Sequence, residues 1–196
     1  TMIDDHIGRV VQALKDTGQY DNTVIIFTSD HGDYLGDFNL MLKGPVQLPA
    51  ITRVPMIWSD PDTRAGVRTD AMASTIDISA SILDRAGFAP YNGIQGRSFL
   101  GALDGIHPHR DEVLIEHNDG GPRMGFQAAA RARTLRTKKW RFSVFAGEDW
   151  GELYDLETDP RETKNLWDNP AYATDKAVLS LRLIDHLTFQ MDESPS

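Results

Sequence analysis

Val24-Ile25-Ile26-Phe27-Thr28-Ser29-Asp30-His31-Gly32-Asp33 decides how this chain is read. The first five residues are apolar or β-branched and show no alternation. That pattern suits a strand covered on both faces, as in a parallel α/β sheet. The polar residues that follow sit where a buried strand gives way to a loop. In open α/β sheets, ligands bind just beyond the carboxyl ends of strands. Asp30 offers carboxylate oxygens and His31 an imidazole nitrogen. Neighbouring strand residues point to opposite faces, so the two serve one ion only where the chain has already bent. Gly32 makes that bend easy. The donors suit a divalent cation: oxygen favours Mg2+, Ca2+ or Mn2+, and imidazole leans toward Mn2+ or Zn2+. The alternative is a turn in which Asp30 caps the loop and His31 bonds locally, on spacing alone the commoner arrangement.

Working outward, residues 2–15 carry Ile3, Ile7, Val10, Val11 and Leu14, the spacing of a helix with one buried stripe. Thr1, or a residue before it, is the expected cap, and Gly18 ends the helix. The chain opens like the interior of a helix, so polypeptide is expected upstream of it. Residues 30–53 form a long connection rich in Gly and Pro, a kind of segment that is usually functional or disordered. Lys43 lies within it. A lysine there could act as a point charge for an anionic substrate, although a solvated loop lysine is the commoner reading. Val54–Trp58 is the next strand. Residues 74–86 form a helix with a stripe at Ile76, Ile78, Ile82 and Leu83, Ser74 or Thr75 as its N-cap, and Gly87 at its end. Glu112–Glu116 is a further buried-type strand, and His117 at its end could line the same cleft as Asp30, a surface or capping role being the commoner one.

Gly120, Gly121 and Pro122 mark a break. Residues 128–146 read as two strands joined by a tight turn near Thr137-Lys138, followed by a strand at Leu153–Leu156 and the turn Thr158-Asp159-Pro160. Residues 174–190 read as a helix with Ala177, Leu181, Ile184 and Leu187 on its stripe. The fold class is therefore α/β. Residues 1–120 form a sheet with helices, and residues 121–196 a small α+β subdomain of antiparallel sheet plus one helix, with Asp192–Ser196 frayed.

The chain has 196 residues, 40% of them apolar and 25% charged, and reads as a globular protein. It contains no Cys, which excludes disulfides, thiolate metal sites and a cysteine nucleophile, and leaves the compartment open. The net charge of −9 disfavours nucleic acid as a partner, and no apolar run is long enough for a membrane span. Among the remaining polar residues, His107 and His109 read as a solvated linker. His6 and His186 read as structural, Lys138, Lys139 and Arg141 as paired with carboxylates, and Trp140 and Trp150 as sheet packing.

SDHGDYLGD, then LMLKGP, then RVPMIWSDP resembles the carboxyl-terminal half of the sulfatase family, in the alkaline-phosphatase-like superfamily. IDDHIGRVVQALKDTGQYDNTVIIFTSDHG is similar to the helix–strand unit leading into that family's second metal motif. DISASILDRAGF, GIQGRSFLGAL and ELYDLETDPRETKNL follow in family order, so the likeness runs from residue 1 to about residue 167. The resemblance implies a fold built as a partial alkaline-phosphatase-like sheet and a hydrolase of small anionic sulfate esters. Relatives that cleave phosphate or phosphonate esters are the alternative, and a non-catalytic remnant module is a third reading. It implies a divalent metal, calcium first and Mg2+ or Mn2+ next, with Asp30 and His31 as two of its ligands. It also implies that Lys43 contacts the sulfate.

Phe38 stands where the family usually has a histidine. The formylglycine nucleophile, made from Cys or Ser in a Cys/Ser-x-Pro-x-Arg motif, has no match here. Ser59-Asp60-Pro61 begins like that motif, but Thr63 holds the arginine position and Arg64 comes one residue late. Asp4 and Asp5 lie on a helix and are not assigned as ligands. The resemblance thus leads us to expect a fragment that lacks the nucleophile. An amino-terminal half, or an oligomer partner, would cover its exposed core.

Overall fold

The structure, a computed structural model, describes residues 2–63 and 66–190. The expected Thr1 cap, Arg64 of the motif-like stretch and the frayed tail lie outside the described residues. Helix α1 (Met2–Asp16) leads through a short turn into strand β1 (Ile25–Thr28). The long connection carries a single helical turn, α2 (Pro49–Thr52), before strand β2 (Met56–Ser59). Helix α3 (Asp77–Arg85) follows. Strands β3 (Glu112–Pro122), β4 (Ala129–Thr137), β5 (Trp140–Phe145) and β6 (Gly151–Asp155) then form a meander, closed by helix α4 (Ala173–Phe189).

Among the described residues the α/β architecture holds, with two antiparallel sheets. The strand pairing departs from expectation. β1 pairs with β2 antiparallel, Ile25 opposite Ser59 and Thr28 opposite Met56, so the run is not part of a parallel sheet here. All four β1 residues are half-buried rather than enclosed, because a two-stranded ribbon leaves both edges and part of each face open. The four-stranded sheet, order β3-β4-β5-β6, begins at Glu112, so residues 112–118 pair with β4. The tight turn expected near Thr137-Lys138 falls at Lys138-Lys139, between β4 and β5.

The main core lies between this sheet and α4. Leu135, Phe142 and Leu153 from the strands meet Leu179 and Leu183 from the helix, with Trp140 and Leu166 at the margin. Phe142 stacks on Trp167 with ring centroids 5.7 Å apart. A fully buried Leu in such a core contributes roughly 2 kcal/mol of transfer free energy.

All three long helices turn their apolar stripes differently from expectation. In α4 the buried residues are Leu179 and Leu183, while Leu181, Ile184 and Leu187 face solvent. In α3 the buried face is Asp77, Ala80 and Ser81, and Ile76 and Ile82 are exposed. In α1 no residue is fully buried, and Met2, Ile3 and Val10 are exposed. Spacing reports that a stripe exists but not which neighbour covers it. Here polar partners hold the inner faces of α3 and α4: Arg182 and His186 of α4 both bond Glu112 of β3.

The expected Ser74 or Thr75 side-chain cap on α3 does not form. The Asp77 carboxylate instead accepts from the Ser74 backbone N–H at 2.9 Å. His109 likewise departs from the solvated-linker reading: its side chain is buried and its Nε2 lies 3.1 Å from Asp77 Oδ2.

Candidate active site

The segment from Asp30 to Arg53 is an ordered loop folded onto its own small core. Tyr34, Leu48 and Ile51 are buried together, flanked by Leu40 and Val46. Tyr34 donates from its hydroxyl to the Val46 carbonyl at 2.7 Å, and burial pushes its phenol up to about 12. The buried Gln47 donates to the Gly44 and Pro45 carbonyls. Gly32 is required at the bend: its N–H donates to the Ile51 carbonyl at 2.8 Å, and a Cβ there would overlap the Ala50 carbonyl oxygen.

Four non-glycine residues of this loop adopt the left-handed region: Leu35, Phe38, Asn39 and Leu42. Such conformations cost about 1 kcal/mol or more each and persist where surroundings over-determine them. One of them, Leu42 at φ 63°, immediately precedes Lys43. Phe38 is more than half exposed, directed away from the loop core.

The bend brings three of the four candidate site residues together. His31 Nδ1 lies 2.7 Å from the Gly32 carbonyl, which fixes that nitrogen as the donor. Nε2 therefore carries the lone pair. It lies 3.3 Å from Asp30 Oδ2 and 2.5 Å from Lys43 Nζ. Asp30 is anchored at its other oxygen, which accepts the His31 backbone N–H at 3.0 Å. That hydrogen bond is the main reason its pKa is held below the usual carboxylate value. With 82% of its side chain exposed, Asp30 keeps an anionic oxygen open to an incoming cation. A carboxylate and an imidazole lone pair thus stand beside an ammonium, which suits a cation and an anion bound side by side.

These residues line one end of a cavity of about 850 Å³ that runs between the loop, β2 and β3. The fourth candidate, His117, lines the same cavity from β3. Its Nε2 lies 3.1 Å from Asp119 Oδ1, and Arg123 bonds the same carboxylate. Sequence reading missed Asp119 and Arg123, because a pair spaced by two residues on one strand face and a cation from the following turn leave no periodic signal. It also missed Tyr34 and Asp77. Ser59-Asp60-Pro61 lies away from this chemistry: the Asp60 carboxylate is buried in a bidentate pair with Arg85.

Among the described residues no group of three or more His, Asp or Glu side chains could hold a metal ion. A calcium ion takes about six to eight oxygen ligands, so Asp30 and His31 fit as part of a coordination shell and not as a whole one.

Fold and site together define an α/β chain with a carboxylate, an imidazole and an ammonium gathered at a strand end. The family model described as Sulfatase matches residues 1–88. The arylsulfatase of Clostridium perfringens is 31% identical over 177 residues, which cover 88% of this chain and 35% of the relative. The choline-sulfatase of Rhizobium meliloti is 30% identical over 183 residues, 91% of this chain and 33% of the relative. A phosphonate monoester hydrolase from Silicibacter pomeroyi superposes with a TM-score of 0.86 at 31% identity, covering 98% of this chain and 40% of that one. The likenesses are to sulfatases and to a phosphonate monoester hydrolase. The chain spans about a third of the length of the curated relatives it matches.

Proposed function

We propose that this chain supplies one wall of the active site of a sulfuric ester hydrolase. The observation that carries the reading is the convergence of Asp30, His31 and Lys43 at one end of a single cavity. Asp30 and His31 are the cation ligands, with calcium first and Mg2+ or Mn2+ as alternatives, and Lys43 offsets charge on the sulfate oxygens. When bound, the cation polarises those oxygens. Among the described residues the chain brings two candidate ligands, and its sequence has no cysteine. The remaining ligands and the formylglycine nucleophile are therefore assigned to polypeptide outside these 196 residues. That polypeptide, or an oligomer partner, covers the exposed helix stripes, and the substrate is a small sulfate ester.

The second reading, a phosphonate monoester or phosphodiester hydrolase, is favoured by the likeness to the Silicibacter pomeroyi enzyme. Turnover of 4-nitrophenyl sulfate and 4-nitrophenyl phenylphosphonate by the intact, calcium-loaded enzyme separates the two. The expected result is a higher kcat/KM on the sulfate, reduced about a hundredfold by Lys43→Ala and by Asp30→Ala. A higher kcat/KM on the phosphonate supports the second reading, and wild-type rates in both variants overturn the site.

A further inference from the structure

We propose that Gln47 is a positioning residue for Lys43, holding the backbone that presents the ammonium to the sulfate. The inference rests on the sulfatase reading of the cavity and extends it to how the lysine is held in place.

Lys43 is exposed, whereas Gly44, Pro45, Gln47 and Leu48 just after it are buried. A buried carbonyl without a donor is costly. On the near side of the lysine, the Leu42 carbonyl accepts the Tyr34 N–H at 2.9 Å. On the far side, the Gly44 and Pro45 carbonyls receive no backbone N–H among the described residues. Pro45 has no N–H of its own to offer, and the Val46 carbonyl is taken by the Tyr34 hydroxyl and the Leu48 N–H. The Gln47 amide fills this gap. Its Nε2 donates to the Gly44 carbonyl at 3.2 Å and to the Pro45 carbonyl at 3.1 Å. Both of its hydrogens are used, and two carbonyl partners fix which end of the amide is the nitrogen.

Gln47 is 3% exposed and stands in the wall of the cavity that Asp30, His31 and Lys43 line. The segment has little slack. A Cβ on Gly44 would overlap the Met124 sulfur and stand 3.3 Å from the Tyr34 hydroxyl. Lys43 is therefore clamped between anchored carbonyls, with its Nζ 2.5 Å from His31 Nε2. Without the amide, the Gly44 and Pro45 carbonyls turn toward water and carry the lysine backbone with them. A shift of about 1 Å at such a group costs up to about a hundredfold in rate.

The test is a double-variant cycle on 4-nitrophenyl sulfate with the intact, calcium-loaded enzyme. Gln47→Met, close in size but without donors, is expected to lower kcat about tenfold with KM little changed. In a Lys43→Ala background the same substitution is expected to cause no further loss, because the group it positions is gone. Gln47→Glu keeps the length, loses the donors and is expected to behave the same way, which covers a Gln47→Met that folds poorly. Equal losses with and without Lys43, wild-type kcat in both Gln47 variants, a change in KM alone, or failure of both to fold overturns the inference and leaves the sulfatase reading in place. A wild-type rate in Lys43→Ala overturns the site itself and the inference with it.

Discussion

Asp77 has no exposed surface and is nevertheless the most heavily hydrogen-bonded carboxylate of the first half of the chain. Burial pushes its pKa up, but the Arg110 guanidinium, the N–H groups of Arg97 and Ser74, and His109 together outweigh it and hold the carboxyl at about 2. A depressed carboxylate stabilises the fold fully above its unfolded value of 3.8 and loses that contribution as pH falls toward the folded value. The gap corresponds to about 2 kcal/mol. Thermal melts of wild type and Asp77→Asn are expected to differ most at pH 5 and above and to converge between about pH 4 and pH 2. A constant difference across that window shows that Asp77 acts by shape alone. None of this was legible beforehand. Asp77 reads as an ordinary first-turn helix acid, and its partners other than Ser74 lie 20 to 33 residues away along the chain.

The four-stranded meander carries its own charge network. Arg141 on β5 is fully buried and bonds Glu162 at 2.6 Å and Glu152 at 2.7 Å, with the Tyr154 ring 4.6 Å away. Pairing was the reading from sequence, on the simple ground that an acidic chain offers partners. The depth of burial and the role of Glu162 were not visible, since Glu162 reads only as part of a turn. Arg141→Met leaves buried Glu152 without its cation and Glu162 with Arg136 alone, and is expected to lower the unfolding free energy by about 3–5 kcal/mol. Denaturant titration checks this. The triple variant Arg141→Met, Glu152→Leu, Glu162→Leu is expected to recover most of the loss, because an apolar replacement removes the desolvation cost along with the attraction. Failure of the triple variant to recover makes the network a requirement of the sheet rather than a compensated charge set.

Across the whole molecule, the pattern is one of good local order with apolar stripes left facing outward. Met2, Ile3 and Val10 on α1, Ile82 on α3, and Leu181 and Ile184 on α4 are all exposed. The proposed cation site is open in the same sense, with two candidate ligand side chains among the described residues where an oxygen-ligated cation takes about six to eight. Calorimetric titration of the 196-residue chain with calcium is therefore expected to give a Kd weaker than about 1 μM. Sub-micromolar binding contradicts the half-site and means that Asp30 and His31 close a cage with groups of this chain alone.

The sequence by itself determined the kinds of element and their order, and singled out Asp30, His31 and Lys43 as candidates for one site. Side-chain periodicity, β-branching and the bend at Gly32 act over a few neighbouring residues and can be read there. Only the tertiary structure decided that β1 and β2 run antiparallel, which helix faces turn inward, and that Lys43 reaches His31 across twelve residues of folded loop. It likewise decided that Asp119 and Arg123 gather beside His117. Those outcomes depend on which surfaces meet in space, and distance along the chain carries no record of that.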